Sequence, residues 1–213
     1  MKIPLITFFL YLSNLVLVMA QDPHRFDEDI KKFNKITAPE DVVVFTGSSS
    51  IRFWDDLTED CSKMEVVNTG FGGSHMSDLL YFIDETILRF KPSKVYIYEG
   101  DNDIAGDKRP RRILRTTKKV TRKLLASSPN TEIRYISAKP SPSRWAYKKQ
   151  YERFNALLNA YCNKHEQLDY IDVWTPMLGN NGRPKPHIFV EDSLHMNRQG
   201  YLIWKDMICR DSE

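Results

Sequence analysis

Five short runs rich in β-branched and aromatic residues recur along the chain, at 41–46 (DVVVFT), 64–68 (MEVVN), 94–98 (KVYIY), 132–137 (EIRYIS) and 168–173 (LDYIDV). Each reads as a buried strand. The stretches between them repeat with a helical period. Over 77–90, apolar residues fall at Leu79, Leu80, Phe82, Ile83, Ile87 and Leu88. Over 111–126 they fall at Ile113, Leu114, Val120, Leu124 and Leu125, and over 145–162 at Tyr151, Phe154, Leu157, Leu158 and Tyr161. A last helix is expected from about Asn197 to about Cys209. Strands alternating with helices predict an α/β fold with a parallel sheet covered on both faces. The chain has 213 residues, 41% of them hydrophobic, and a net charge of +3. Those values suit one packed domain and exclude a disordered chain. No internal repeat or linker divides it, so residues 21–213 are expected to form a single domain.

Residues 1–20 stand outside that pattern. Lys2 precedes an almost wholly apolar run from Ile3 to Met19, Ala20 ends it with a small residue, and Gln21-Asp22-Pro23 turns polar at once. This is the build of a secretory signal peptide cut after Ala20; an uncleaved membrane anchor is the alternative. Export to a secreted or periplasmic location permits disulfides. Cys61, Cys162 and Cys209 are too few for a disulfide scaffold, and an odd number leaves at least one unpaired. Cys162 and Cys209 both fall late in predicted helices and are candidates to pair, beside the plainer reading of buried or idle thiols. No CxxC spacing suggests zinc, and no later segment is apolar enough to span a membrane.

In sheets of this kind, loops leaving the carboxyl ends of strands build the site. Polar and glycine-rich clusters do follow the strands: Gly47-Ser48-Ser49-Ser50, then Gly70-Phe71-Gly72-Gly73-Ser74, then Glu99-Gly100-Asp101-Asn102-Asp103, and finally Asp192-Ser193-Leu194-His195. A serine becomes a nucleophile when a base takes its proton and a third group orients that base. His195 is a candidate base, and Asp192, three residues earlier, is positioned as in a helical turn to hold its ring. Acyl transfer also needs donors aimed at the developing oxyanion. The backbone N–H groups of Ser49 and Gly73 and the side-chain amide of Asn102 are candidates. Each residue also has a structural reading: Ser48, Ser49 or Ser50 as a helix N-cap, Gly72-Gly73 as a tight turn, Asn102 and Asp103 as turn or cap residues, His195 as a structural histidine.

The four clusters resemble, in the same chain order, the motif blocks of the SGNH branch of the GDSL esterase/lipase superfamily. Residues 44–54, Val44 through Gly47-Ser48-Ser49-Ser50-Ile51-Arg52 to Trp54, resemble the GSSS variant of its first block, whose register places the nucleophile on Ser49. Ser48 departs from the usual aspartate. Asn68-Thr69-Gly70-Phe71-Gly72-Gly73-Ser74 carries the oxyanion glycine onto Gly73, Gly100-Asp101-Asn102-Asp103 the oxyanion asparagine onto Asn102, and Asp192-Ser193-Leu194-His195 the acid and the base. The resemblance implies a flavodoxin-like three-layer α/β/α sandwich with a mainly parallel five-stranded sheet. It also implies a shallow site using no cofactor and no metal, and an ester-hydrolysing activity on a small-molecule, glycan or lipid ester. The commoner α/β-hydrolase elbow, G-x-S-x-G, is not matched, because Ile51 stands at its second glycine. Carbohydrate O-acetyl esters rank first among the expected substrates, ahead of lysophospholipids and small esters.

Other features carry less. Nine Lys and Arg residues and no acid lie between Lys108 and Lys123, with Arg111, Arg115, Lys118 and Arg122 forming a stripe. A solvated helix face is the expected reading, with attraction to anionic surfaces or substrates as the alternative; no nucleic-acid recognition motif accompanies it. Arg52 and Trp54 either line the substrate cleft or pack the first helix. The loop 140–145 is a candidate pocket wall, and the loop 180–186 shapes substrate entry or simply connects. Two rivals stay open: a metal-dependent phosphoesterase, for which Asp22-Pro23-His24 mimics a ligand pair, and a non-catalytic binding module on the same fold. Oligomeric state is not legible.

Overall fold

The computed structural model describes residues 22–39 and 41–209. The leader assigned to residues 1–20 lies outside them. Along the chain the elements are α1 (Asp27–Phe33), β1 (Val43–Gly47), α2 (Ser49–Arg52), α3 (Leu57–Asp60), β2 (Val66–Gly70), α4 (Met76–Tyr81), α5 (Ile83–Thr86), β3 (Lys94–Tyr98), α6 (Asp101–Ala105), α7 (Pro110–Ser127), β4 (Glu132–Ile136), α8 (Lys148–Cys162), β5 (Leu168–Ile171) and α9 (Arg198–Ile208). All five expected strands are present. They form one wholly parallel sheet in the order β2-β1-β3-β4-β5. That is the flavodoxin-like order, with its switch point between β1 and β3.

Residue alternation along the strands divides the core in two. Val44, Val95, Ile97, Ile133 and Tyr135 point to one face, where α1, α4, α5, α7 and α8 bury their apolar sides. Phe45, Tyr96, Tyr98 and Ile136 point to the other, against α2, α3 and α9. Three layers follow. On the second face aromatic rings dominate: Phe45 stacks on Tyr96 at 4.4 Å, and Trp54 meets Tyr201 and Trp204.

Local chemistry sets the helix ends. Pro110 opens α7 at a position where its missing N–H has no intrahelical acceptor to lose. Asn197 caps α9 by accepting from Gln199 N and Gly200 N. The helix expected over 77–90 is broken. Thr86 turns its hydroxyl back to Phe82 O at 2.7 Å, while its own carbonyl accepts from Thr69 Oγ1 of β2 at 2.9 Å. Such side-chain bonds compete with the helical ladder. Residues 145–147, expected to open α8, form a separate 3₁₀ turn. Helices α1, α2, α3 and α6 are each seven residues or shorter and escape a periodicity reading.

The suggested pairing of Cys162 with Cys209 is overturned. Cys209 is bonded to Cys61, with Cα atoms 5.0 Å apart and 148 residues between them in sequence. Cys162 is a free, buried thiol packed in the α7/α8 layer. Burial pushes it up to about 12. The sheet separates α8 from α9, so two cysteines late in helices cannot meet across it. Beside the disulfide, Asp60 is 5% exposed and accepts from Arg198 Nη1 and Nη2 at 2.5 and 2.7 Å and from Trp54 Nε1 at 2.9 Å, with Lys205 Nζ at 3.2 Å. The end of α3 is thus tied to α9 covalently and ionically.

Cys61→Ser should lower unfolding free energy by about 2–5 kcal/mol, read by denaturant titration, because the cross-link restrains a long loop of the unfolded chain. The Arg198 hydrogen bonds, opposed by burial and helped by Trp54 and Lys205, lower the Asp60 carboxyl to about 2. Its contribution is therefore complete above the unfolded value of about 3.9 and is lost as pH falls through about 2. Asp60→Asn should cost about 1.5–3 kcal/mol at neutral pH. The gap from the parent should close between about pH 4 and 2, as followed by thermal melts across that range.

Candidate active site

Parallel pairing brings the ends of β1, β2 and β3 level, with Gly47 opposite both Gly70 and Tyr98. Gly47 has φ +129°, and a Cβ there would fall 2.0 Å from Tyr98 O. Ser48 N donates to the same carbonyl at 3.1 Å. The chain then turns directly into α2, so Ser49 stands at the helix start, where its N–H has no intrahelical carbonyl to meet. Of the three adjacent serines, Ser48 and Ser50 are buried, at 1% and 2%. Ser49 is part-exposed, and its Oγ lies 3.0 Å from His195 Nε2. The other ring nitrogen, Nδ1, lies 2.5 Å from Asp192 Oδ2.

The Asp192–His195 segment is not the helical turn that its spacing suggests. Phe189 and Met196 form an antiparallel bridge, Val190 N donates to His195 O at 2.9 Å, and Ser193 adopts a left-handed φ of 56°. In this turn Asp192 Oδ1 accepts from Leu194 N at 2.8 Å and His195 N at 2.9 Å, leaving Oδ2 for the imidazole. Partial burial works to raise the Asp192 carboxyl. The two backbone amides and the imidazole outweigh it and bring the group to about 2. Phe53, 44% exposed, stands edge-on to the His195 ring at 5.1 Å.

The loop after β2 lies against this chain of bonds. A Cβ on Gly72 would sit 3.8 Å from Ser49 Cβ and 3.3 Å from the Arg52 guanidinium. Gly73 has open space around its Cα but a φ of +80°, so conformation rather than crowding demands glycine there. The next residue, Ser74, accepts at its carbonyl from Asn102 Nδ2 at 3.0 Å. Gly73 therefore lies on a short loop whose neighbours touch Ser49 on one side and Asn102 on the other. All five residues singled out in the sequence, Ser49, Gly73, Asn102, Asp192 and His195, gather at the carboxyl edge of the sheet.

Several buried groups around them were not anticipated. Asp101 Oδ1 accepts from Arg144 Nη1 at 2.6 Å and from Tyr151 OH, and Oδ2 from Tyr98 OH at 3.1 Å. Burial would raise Asp101; Lys139, Arg144 and Tyr151 together hold it below the usual carboxylate range. Arg144 Nη2 also donates to Asn102 Oδ1 at 2.9 Å. Lys139, 1% exposed, donates to Leu194 O at 2.7 Å, and burial lowers its ammonium despite Asp101. Ser74 Oγ donates to Glu99 at 2.5 Å, and burial, with Asp103 nearby, pushes Glu99 well above the usual carboxyl range. Their signal in the sequence was a charged residue inside an apolar or proline-bound run, at Glu99, Lys139 and Arg144.

The remaining sequence features resolve by contact. Trp54 is a core residue, 1% exposed, whereas Arg52 reaches past Gly72 toward Asp29 Oδ2 at 3.3 Å. Arg52 also lines a cleft of about 450 Å³ of mixed character, with Asp29, Lys32 and Asn68 beside Phe33, Leu57 and Val66; Ser49 and His195 do not line it. Loop 140–145 does border the site, with Ser143 N donating to Ser193 O at 3.1 Å. Loop 180–186 closes on itself through Leu178 and Pro184. Asp22 accepts from His24 N and so caps a turn. Asp103 is engaged by Met76 N and Lys108 Nζ. Among the described residues no three His, Cys, Asp or Glu side chains group as metal ligands, and no helix is long and apolar enough to cross a membrane. Arg111, Arg115, Lys118 and Arg122 lie on the exposed side of α7, opposite buried Ile113, Thr117, Val120 and Leu124.

Solved structures with a similar fold include a candidate platelet activating factor from Streptococcus pneumonia (TM-score 0.76, 21% identity, 84% of this chain and 89% of that one). A GDSL-like lipase from Bacteroides thetaiotaomicron follows (0.74, 20%, 88% and 96%). A catalytic mutant of an acetylxylan esterase from Geobacillus stearothermophilus is also similar (0.66, 14%, 81% and 93%). No curated protein matches the chain in sequence at a significant level. Residues 36–203 match the model of the GDSL-like Lipase/Acylhydrolase family, and the chain accordingly belongs to that family of ester hydrolases.

Proposed function

We propose that the protein is an exported serine esterase that removes short acyl groups, with O-acetyl groups on carbohydrate as its first substrate class. The observation that carries the reading is the continuous hydrogen-bonded path from Ser49 Oγ through both nitrogens of His195 to Asp192. Ser49 Oγ attacks the ester carbonyl carbon while its proton passes to His195 Nε2. Asp192 keeps Nδ1 protonated and stabilises the imidazolium. The tetrahedral oxyanion accepts from Ser49 N–H, Gly73 N–H and Asn102 Nδ2–H. When it collapses, the alkoxide takes the proton from Nε2 and leaves as the alcohol. Water then attacks the acyl-serine, gives its proton to His195, and the carboxylic acid departs as Ser49 regains its hydrogen.

The surroundings support a small acyl group on a polar alcohol. Beside the histidine stands one exposed ring, Phe53, and the Arg52 guanidinium lies over that ring and against Gly72. An aromatic ring beside a guanidinium suits a sugar ring better than an alkyl chain. Export is supported by the leader-like pattern of residues 1–20 and by the Cys61–Cys209 disulfide, which belongs to an oxidising compartment.

Ser49→Ala should reduce kcat on p-nitrophenyl acetate by on the order of 10⁶-fold. A serine-reactive organophosphate should label the parent once, at the peptide containing Ser49, as read by mass spectrometry. Asn102→Ala should lower kcat by about 10²–10³-fold with the fold intact by circular dichroism. Acetate release from an acetylated glycan, measured against free fatty acid release from a lysophospholipid, tests the substrate class. A protein that neither reacts with the organophosphate nor hydrolyses either substrate would be the binding module instead.

A further inference from the structure

An asparagine can donate to an oxyanion only when its amide faces the right way, and a side-chain amide flips between two orientations of similar shape. Here the orientation of Asn102 is decided by chemistry. A guanidinium carries donors only, so Arg144 Nη2, 2.9 Å away, can be met by the Asn102 oxygen and not by its nitrogen. On the other side Ser74 O, an acceptor, meets Nδ2 at 3.0 Å. A flipped amide would set donor against donor at Arg144 and acceptor against acceptor at Ser74. One Nδ2 hydrogen is used by Ser74 O, and the second remains for a ligand.

The guanidinium is itself held from behind. Its Nη1 donates to Asp101 Oδ1 at 2.6 Å, and Asp101, 5% exposed, is further bonded to Tyr151 OH and Tyr98 OH. Asp101 and Asn102 are adjacent in α6, so one two-pronged cation clasps consecutive side chains, the carboxylate for anchorage and the amide for orientation. A lysine at 144 would keep the charge but not the fork. We propose that Arg144 is a positioning residue for turnover: it fixes the Asn102 amide with Nδ2–H presented to the oxyanion, and so makes the loop after β4 part of the catalytic apparatus. This rests on the reading of Asn102 as an oxyanion donor.

The test is a double-mutant cycle on p-nitrophenyl acetate with parent, Asn102→Ala, Arg144→Met and Arg144→Met/Asn102→Ala enzymes, with thermal melts alongside. Arg144→Met should lower kcat by about 10–100-fold and move KM less than about threefold, the usual scale for a displaced catalytic group. In the Asn102→Ala background the same change should cost less than about twofold, because there is no amide left to orient. Arg144→Lys should recover melting temperature without recovering kcat, and it replaces Arg144→Met in the cycle if the methionine variant does not fold. A kcat within twofold of parent for Arg144→Met, full recovery of kcat by Arg144→Lys, or losses that simply multiply in the double variant would each overturn the proposal. Crippled Asn102→Ala beside fully active Arg144→Met sinks this proposal alone; fully active Asn102→Ala sinks the oxyanion reading and the proposal with it.

Discussion

Because all five strands run parallel, every connection must cross back over the sheet, and every loop leaving a carboxyl end collects at one edge. The level register of β1 with β2 and β3 makes that edge sharp. Gly47 pairs with Gly70 on one side and Tyr98 on the other, and the approach to Tyr98 O leaves no room for a side chain at 47. Ser49, the Gly72–Gly73 loop and Asn102 stand together because three neighbouring strands stop at the same height. Asn68 reinforces the arrangement, donating to Ile51 O of α2 and accepting from Gly70 N.

Behind that edge two buried carboxyls do opposite things. Asp101 is surrounded by Arg144, Lys139 and two phenols and stays ionised; it organises cations around it. Glu99, two residues earlier, has Ser74 as a neutral partner and Asp103 as a like charge, and is pushed well above the usual carboxyl range. The same burial acts on both. The difference is the company each side chain keeps, in line with the rule that buried charges persist only when paired. Each carboxyl leads to a residue gathered at that edge: Asp101 through Arg144 to Asn102, and Glu99 through Ser74 to the loop carrying Gly73.

His195 comes from the far end of the chain and depends on different supports. Lys139 takes the carbonyl of Leu194, Ser143 N takes that of Ser193, and the Phe189–Met196 bridge closes the turn. Immediately downstream, α9 is fastened to α3 by Asp60 and by Cys61–Cys209. Since α2, which carries Ser49, and α3 sit in the same layer as α9, these ties hold His195 and Ser49 in one frame.

The amino-acid sequence by itself determined the α/β class, the five strands and the candidate site residues. Hydrophobic period and motif order are local, and glycine–serine, glycine–asparagine and aspartate–histidine groups placed after strands can gather only where a parallel sheet gathers its loops. Partners far apart in sequence were decided by tertiary structure alone. The disulfide chose Cys61 rather than Cys162 because the sheet stands between α8 and α9, which no spacing of cysteines reveals. The break after Thr86 came from a strand hydroxyl 17 residues earlier in the chain. In the sequence, Arg144 is one residue of a candidate pocket wall, and Lys139 precedes that loop with no assigned role. Their roles appeared only when folding buried Asp101 between them, since the energy of a buried charge depends on what surrounds it in space and not on its neighbours along the chain.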